Sequence, residues 1–151
     1  MDTIATLLLA GPGDEDLLVE LMREFYAVEH LPFDEEVVRT GLRMILADPR
    51  YGFIQIVQAE GRAAGYMVLT FGFSLEFHGR NALLDELYVR EEFRGRGLGR
   101  ASLDRAEEIC RGEGIRALRL EVDRVNIRAR EIYRKAGYKD HDRYLLTKWL
   151  A

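Results

Sequence analysis

The segment "REEFRGRGLGRASL", Arg90 to Leu103, decides how this chain is read. Within it Gly95, Gly97 and Gly99 alternate with Arg94, Arg96, Leu98 and Arg100, a local basic island in a protein whose formal net charge is -4. The apolar run "ALLDELYV" before it reads as a strand, and Leu98, Leu103, Ala106, Ile109 and Cys110 repeat at helical spacing after it. A glycine loop between a strand and a helix commonly holds phosphate, because backbone N–H groups converge there and the helix start carries partial positive charge. Two nucleotide patterns fail on spacing. Counted from Gly95, a P-loop needs glycine at the position of Arg100 and then lysine, and neither is present. The dinucleotide fingerprint also needs glycine where Arg100 stands, and the opening of the chain does not read as strand-helix-strand.

Working outward, "TIATLLLA" breaks at Gly11-Pro12-Gly13 and predicts a first strand over residues 3–9. Asp14 can cap a helix carrying Leu17, Leu18, Leu21, Met22, Phe25 and Val28 at helical spacing. A second helix follows Asp34, with Val38, Leu42, Ile45 and Leu46 inward, and stops before Asp48-Pro49. Two strand-like runs flank Glu60-Gly61-Arg62 and form a hairpin, "HGRN" makes the next turn, and "ALLDELYV" is the fourth strand. Beyond the glycines and their helix, "IRALRLEVD" reads as a fifth strand, "NIRAREIYRKAG" as a short helix ended by Gly137, and "YLLTKWL" as a closing strand. The order β-α-α-β-β-β-α-β-α-β implies an α/β domain with a mixed, largely antiparallel sheet and helices on its faces. Repeats, linkers and low-complexity segments are absent, so the 151 residues are expected to form one domain.

Composition narrows the function classes. The chain is 48% hydrophobic without an apolar run long enough for a membrane span, and its start lacks the basic region of a signal peptide, so a soluble cytoplasmic protein is expected. The single cysteine, Cys110, excludes an intrachain disulfide, and with His30, His78 and His141 it makes no metal-ligand spacing, so no metal is expected. Net acidity argues against a nucleic-acid surface, and the local arginines point to a compact polyanion.

Arg94-Gly95-Arg96-Gly97-Leu98-Gly99 matches the pattern R/Q-x-x-G-x-G/A, and here the chain resembles the GCN5-related N-acetyltransferases (GNAT). The resemblance extends over "LLDELYV", the loop and its helix, "LEV", the N-x-x-A-x-x-x-Y-x-x-x-G-Y segment from Asn126 to Tyr138, and the element order. It implies a GNAT-type sheet of six to seven strands with about four helices, acetyl-CoA as cosubstrate, and acetyl transfer to a primary amine by direct attack. The pyrophosphate is expected on the N–H groups of residues 95–100, with charge from Arg94, Arg96 and Arg100. The pantetheine is expected along Leu87, Tyr88 and Val89, where a backbone N–H polarises the thioester carbonyl.

The attacking amine must first lose a proton. Strand alternation lets only one of Asp85 and Glu86 point as Leu87 does, which favours Asp85 as amine-binding group or water-mediated base, with Glu86 second. Asn126 and Tyr133, seven residues apart, share one face of a helix; the resemblance implies a cofactor contact for Asn126 and proton donation to the leaving sulfur for Tyr133. The acceptor pocket is expected to draw on Tyr26, Glu29, His30, Glu76, Phe77 and His78, acidic and aromatic groups that suit a cation. A small amine or polyamine is the first reading. Protein lysine or N-terminal amine is the second, and a non-catalytic acetyl-CoA sensor is the reading from another class. Family members are often homodimers.

Overall fold

A computed structural model describes residues 4–151; Thr3, where the first strand is expected to begin, lies outside them. The strands are β1 (Thr6–Leu9), β2 (Gly52–Ala59), β3 (Arg62–Ser74), β4 (Gly79–Val89) and β5 (Leu118–Leu120). The helices are α1 (Glu15–Val28), α2 (Glu35–Ala47), α3 (Leu98–Gly112) and α4 (Ile127–Lys135), with short 3₁₀ turns at Pro12–Asp14 and Glu91–Phe93. The described residues divide into two compact units, one ending at Leu120 and the other spanning Glu121–Ala151.

In the first unit the five strands lie in the order β1-β2-β3-β4-β5, antiparallel throughout except for the parallel β4–β5 pair. Alternation sends β2–β4 side chains to two faces. On one, Ile54, Ile56, Tyr66, Val68 and Tyr88 pack with Leu18, Leu21 and Met22 of α1 and Leu42 of α2. The opposite cluster joins Val57, Ala59 and Ala64 to Phe93 and to Leu98, the first residue of α3. The spacing of α1 thus predicts its buried stripe, although Val28 at its end is exposed. Asp34 caps α2 by accepting from the Glu36 and Val37 N–H groups. Asp14 turns back instead and accepts from the Gly11 N–H.

The second unit holds α4 and an irregular C-terminal stretch. Its Arg134 pairs with Asp140, and the Arg124 guanidinium lies 5.0 Å from the centroid of the Tyr144 ring. The closing strand expected at "YLLTKWL" does not form, so the described sheet has five strands rather than six to seven. A strand exists only as part of a ladder, and residues 144–150 have no ladder partner among the described residues; Tyr144, Leu145, Leu146, Trp149 and Leu150 remain exposed.

Candidate active site

Two irregularities coincide in the middle of β4. Its parallel pairing with β5 covers only Ala82, Leu83 and Leu84, so from Asp85 to Val89 β4 is laddered to β3 alone among the described residues. At the same point the antiparallel register slips: Leu84 faces Leu69 and Glu86 faces Val68, leaving Asp85 as an extra residue with no opposite number. This is a β-bulge, which bends a strand and re-aims its side chains.

The bulge brings two carboxyl groups together. Glu86 lies on the α1 side, where its Oε2 accepts from the Tyr26 hydroxyl at 2.7 Å and its Oε1 accepts from the Tyr66 hydroxyl at 2.7 Å. Tyr66 is fully buried, edge-on to Phe25, while Tyr26 is braced edge-on by Phe33. Burial pushes the Glu86 carboxyl above the usual carboxylate range; the two tyrosine bonds offset part of that rise, and the neighbouring Asp85 charge adds to it. Burial likewise raises Asp85, which has no hydrogen-bond partner among the described residues and keeps access to water. Burial, with the carboxylate partner, also raises both tyrosine hydroxyls, so Tyr26 and Tyr66 stay protonated. The bulge interrupts strict alternation at Asp85, and the Asp85 charge acts on both Glu86 and Tyr26.

Beyond the bulge, β4 is tied to its neighbours through Arg90. Its guanidinium donates to Glu24 of α1 at 2.8 Å, to Glu20 at 3.0 Å and to the Ala63 carbonyl at 3.1 Å, and the Tyr88 hydroxyl donates to Glu24 at 3.1 Å. The hydrogen bonds from Arg90 hold the Glu24 carboxyl below its ordinary value. The following loop reaches α3 through Gly95 (φ 73°) and Gly97 (φ 81°), left-handed conformations that only glycine adopts without strain. Gly97 is the N-cap and offers no side-chain acceptor, so the first N–H groups of α3 lack the partner that a capping residue supplies. A Cβ placed on Gly95 or Gly99 would meet no atom within 4 Å, so the space beside the loop backbone is open.

The arginines of this island are largely committed to protein groups. Arg94 donates to the Val89 carbonyl at 2.9 Å, Arg96 pairs with Glu60 at 2.9 Å, and Arg100 pairs with Asp104 at 3.1 Å. In the second unit, Asn126 is the N-cap of α4 and accepts from the Ala129 N–H at 3.2 Å. Tyr133 lies on the same helix, edge-on to Tyr138 with centroids 5.9 Å apart, and burial raises its hydroxyl.

Comparison with known proteins agrees with this layout. Residues 15–138 match the model of the acetyltransferase (GNAT) family. The chain belongs to that family. It is 32% identical over 142 residues to the thialysine N-epsilon-acetyltransferase of Bos taurus, covering 87% of this chain and 82% of the relative. An integron cassette protein from the mobile metagenome of Cole Harbour Salt Marsh superposes with a TM-score of 0.84 at 33% identity, covering 96% of this chain and 90% of that one. A structure described as a predicted acetyltransferase with acetyl-CoA, from Clostridium acetobutylicum, shares the fold with a TM-score of 0.80 at 18% identity, covering 96% of each chain.

As a GNAT member this protein is an acetyl-CoA-dependent N-acetyltransferase. The residues present fit that cosubstrate: the open loop flank and uncapped α3 N-terminus suit a diphosphate, and the unpaired edge of β4 offers backbone groups to an extended arm. Among the described residues no group of three or more His, Cys, Asp and Glu could hold a metal ion, and no helix is long and apolar enough to cross a membrane. Cys110 is buried and its thiol raised by that burial.

Of the expected cofactor contacts, Tyr88 and Leu98 turn their side chains into the two cores, which leaves their backbone for any such role. Of the expected acceptor residues, only Tyr26 joins the carboxylates. Glu29 and His30 lie exposed at the end of α1. Glu76, Phe77 and His78 form the β3–β4 turn, where Phe77 packs under Arg119; at a rise of about 3.3 Å per residue, His78 sits ~25 Å along the strand from Glu86. The reading from sequence alone missed Tyr66 and Glu24. Tyr66 was within reach of hairpin counting, since it pairs with Tyr88, two residues past Glu86.

Proposed function

We propose that this enzyme acetylates a small primary amine, with the two units serving one acetyltransferase domain, and that the Asp85–Glu86 pair receives the amine. The observation that carries this reading is the bulge, which sets the half-buried Glu86, the more exposed Asp85 and two protonated tyrosines beside a length of β4 that lacks a second strand partner among the described residues. An ammonium group entering there meets negative charge and aromatic faces together, the combination that favours cations. The name of the bovine relative, an acetyltransferase of thialysine, supports a small amine as acceptor.

In this reading the chain's own groups divide the work. Asp85 takes the proton from the ammonium, directly or through a water, because its carboxyl is raised above its ordinary value and has no hydrogen-bond partner among the described residues. Glu86, fixed by Tyr26 and Tyr66, orients the amine. The free edge of Leu87–Val89 holds the extended arm of the cosubstrate and supplies the N–H toward which carbonyl charge develops. Acetyl-CoA supplies the acetyl thioester. Arg94, Gly95, Arg96, Gly97, Leu98, Gly99 and Arg100 bind its diphosphate, chiefly through backbone N–H groups, with Asn126 as a further contact. Tyr133, whose raised hydroxyl keeps its proton at neutral pH, protonates the departing sulfur.

The test is thiol release from acetyl-CoA by the purified protein, with and without diamines, polyamines, lysine analogues and lysine peptides. Release that depends on small amines supports the proposal, and release that depends on peptides alone moves the acceptor to protein amines. Acetyl-CoA binding without release in any arm favours a sensor.

A further inference from the structure

The turn that joins β2 to β3 lies against the diphosphate loop although 36 residues separate Glu60 from Arg96 in sequence. Glu60 pairs with Arg96 at 2.9 Å and with Arg62 at 3.6 Å. Both guanidiniums lie over the ring of Phe93, at 4.7 Å for Arg62 and 5.4 Å for Arg96, and Phe93 itself is buried at the start of the loop. One carboxylate thus bridges two cations stacked on one aromatic ring, an arrangement that fixes the side chain of the residue between Gly95 and Gly97.

The backbone at Glu60 gives an independent reason to look there. Glu60 (φ 53°) and Gly61 (φ 71°) are the two central residues of the turn, the positive-φ pattern of type I′, in which the first position favours asparagine, aspartate or glycine. The other non-glycine residues at positive φ among those described are His30 and His78, a residue type that tolerates this region better than glutamate does. A glutamate in this uncommon conformation is a reason to ask what its side chain does where it reaches.

We propose that Glu60 is a positioning residue for the cosubstrate loop. By holding Arg96 over Phe93 it keeps Gly95 and Gly97 in the left-handed geometry that presents the loop N–H groups to the diphosphate. The inference rests on the reading that residues 94–100 bind that group.

The experiment pairs thermal melting of the protein alone with calorimetric binding of CoA, which reports affinity without turnover. Glu60→Asn suits the turn better than glutamate and removes the bridge, so its melting temperature is expected to match or exceed that of the parent while the CoA Kd rises about fivefold, the ratio one partly shielded ion pair supplies. Glu60→Gln, which keeps the backbone strain and side-chain length, is expected to weaken CoA in the same direction. In an Arg96→Gln background Glu60→Asn is expected to add no further loss, the signature of a shared interaction. Unchanged or tighter CoA binding by Glu60→Asn, or weaker binding accompanied by a melting temperature below that of the parent, overturns the role of Glu60. Gly97→Val separates this outcome from failure of the loop assignment: if Gly97→Val binds CoA as the parent does, the loop reading itself is wrong.

Discussion

At the scale of single residues, the chemistry of the site turns on how burial treats protons. Asp85 and Glu86 are both raised by burial, so the catalytic base in this reading is protonated at a pH where an ordinary carboxylate is ionised. The acid limb of kcat/KM is therefore expected above the unperturbed value of about 4, and Asp85→Asn is expected to lower kcat by about 10²-fold or more. The stability sign runs opposite to the usual acidic case. A folded-state value above the unfolded one gives stability that is present below the unfolded value and lost as pH rises through the folded one. Ionisation of Asp85 is thus a cost to the folded state, and Asp85→Asn is expected to melt no lower than the parent, a comparison that separates catalytic loss from misfolding. Tyr133→Phe is expected to lower kcat by about 10²-fold while leaving CoA affinity near that of the parent; equal losses of both would assign the tyrosine to packing. The residue types were legible in the sequence. Their company was not, because the tyrosines that grip Glu86 come from positions 26 and 66.

Among the elements, the loop and β4 show where pattern reading succeeds and where it stops. Alternating glycines between a strand and a helix have few structural explanations, and Gly95 and Gly97 do take positive φ values in the loop. The arginines were legible as charge but not as partners, since Glu24 and Glu60 lie far upstream of Arg90 and Arg96. Gly65 in β3 was silent in the sequence, yet a Cβ there would stand 1.9 Å from the Tyr88 carbonyl oxygen, so Gly65→Ala is expected to force β3 and β4 apart and to destabilise by about 1–3 kcal/mol, measurable by denaturant titration. Arg90→Met would leave Glu24 without its main partner where α1 meets β4, a loss of about 1.5–3 kcal/mol from hydrogen bonds to a charged group. The pH sign distinguishes the two variants. Glu24 is held below its ordinary value, so its contribution is present above the unfolded value and lost as pH falls through the folded one; Arg90→Met should flatten that acid loss and Gly65→Ala should not.

For the molecule as a whole, element order up to the fourth helix followed from periodicity, because apolar spacing is a local property that tertiary packing then satisfies. The closing strand did not follow. "YLLTKWL" has the composition of a strand, but a ladder needs a partner edge, and that is decided elsewhere in the chain. The single tryptophan, Trp149, lies in this segment and is 87% exposed, so its fluorescence should be that of a water-exposed indole and readily quenched by acrylamide; a blue-shifted, protected spectrum would mean that the segment has found a partner. One consequence of the bulge concerns chain length. Every β3–β4 partnership on either side of Asp85 is already in step: removing that residue would set Leu84 and Glu86 side by side against Leu69 and Val68 without moving another pair. A chain shorter by this one residue should therefore fold into a more regular sheet with the same neighbours and lose acetyl transfer, so that what serves the strand and what serves the chemistry part company at one position.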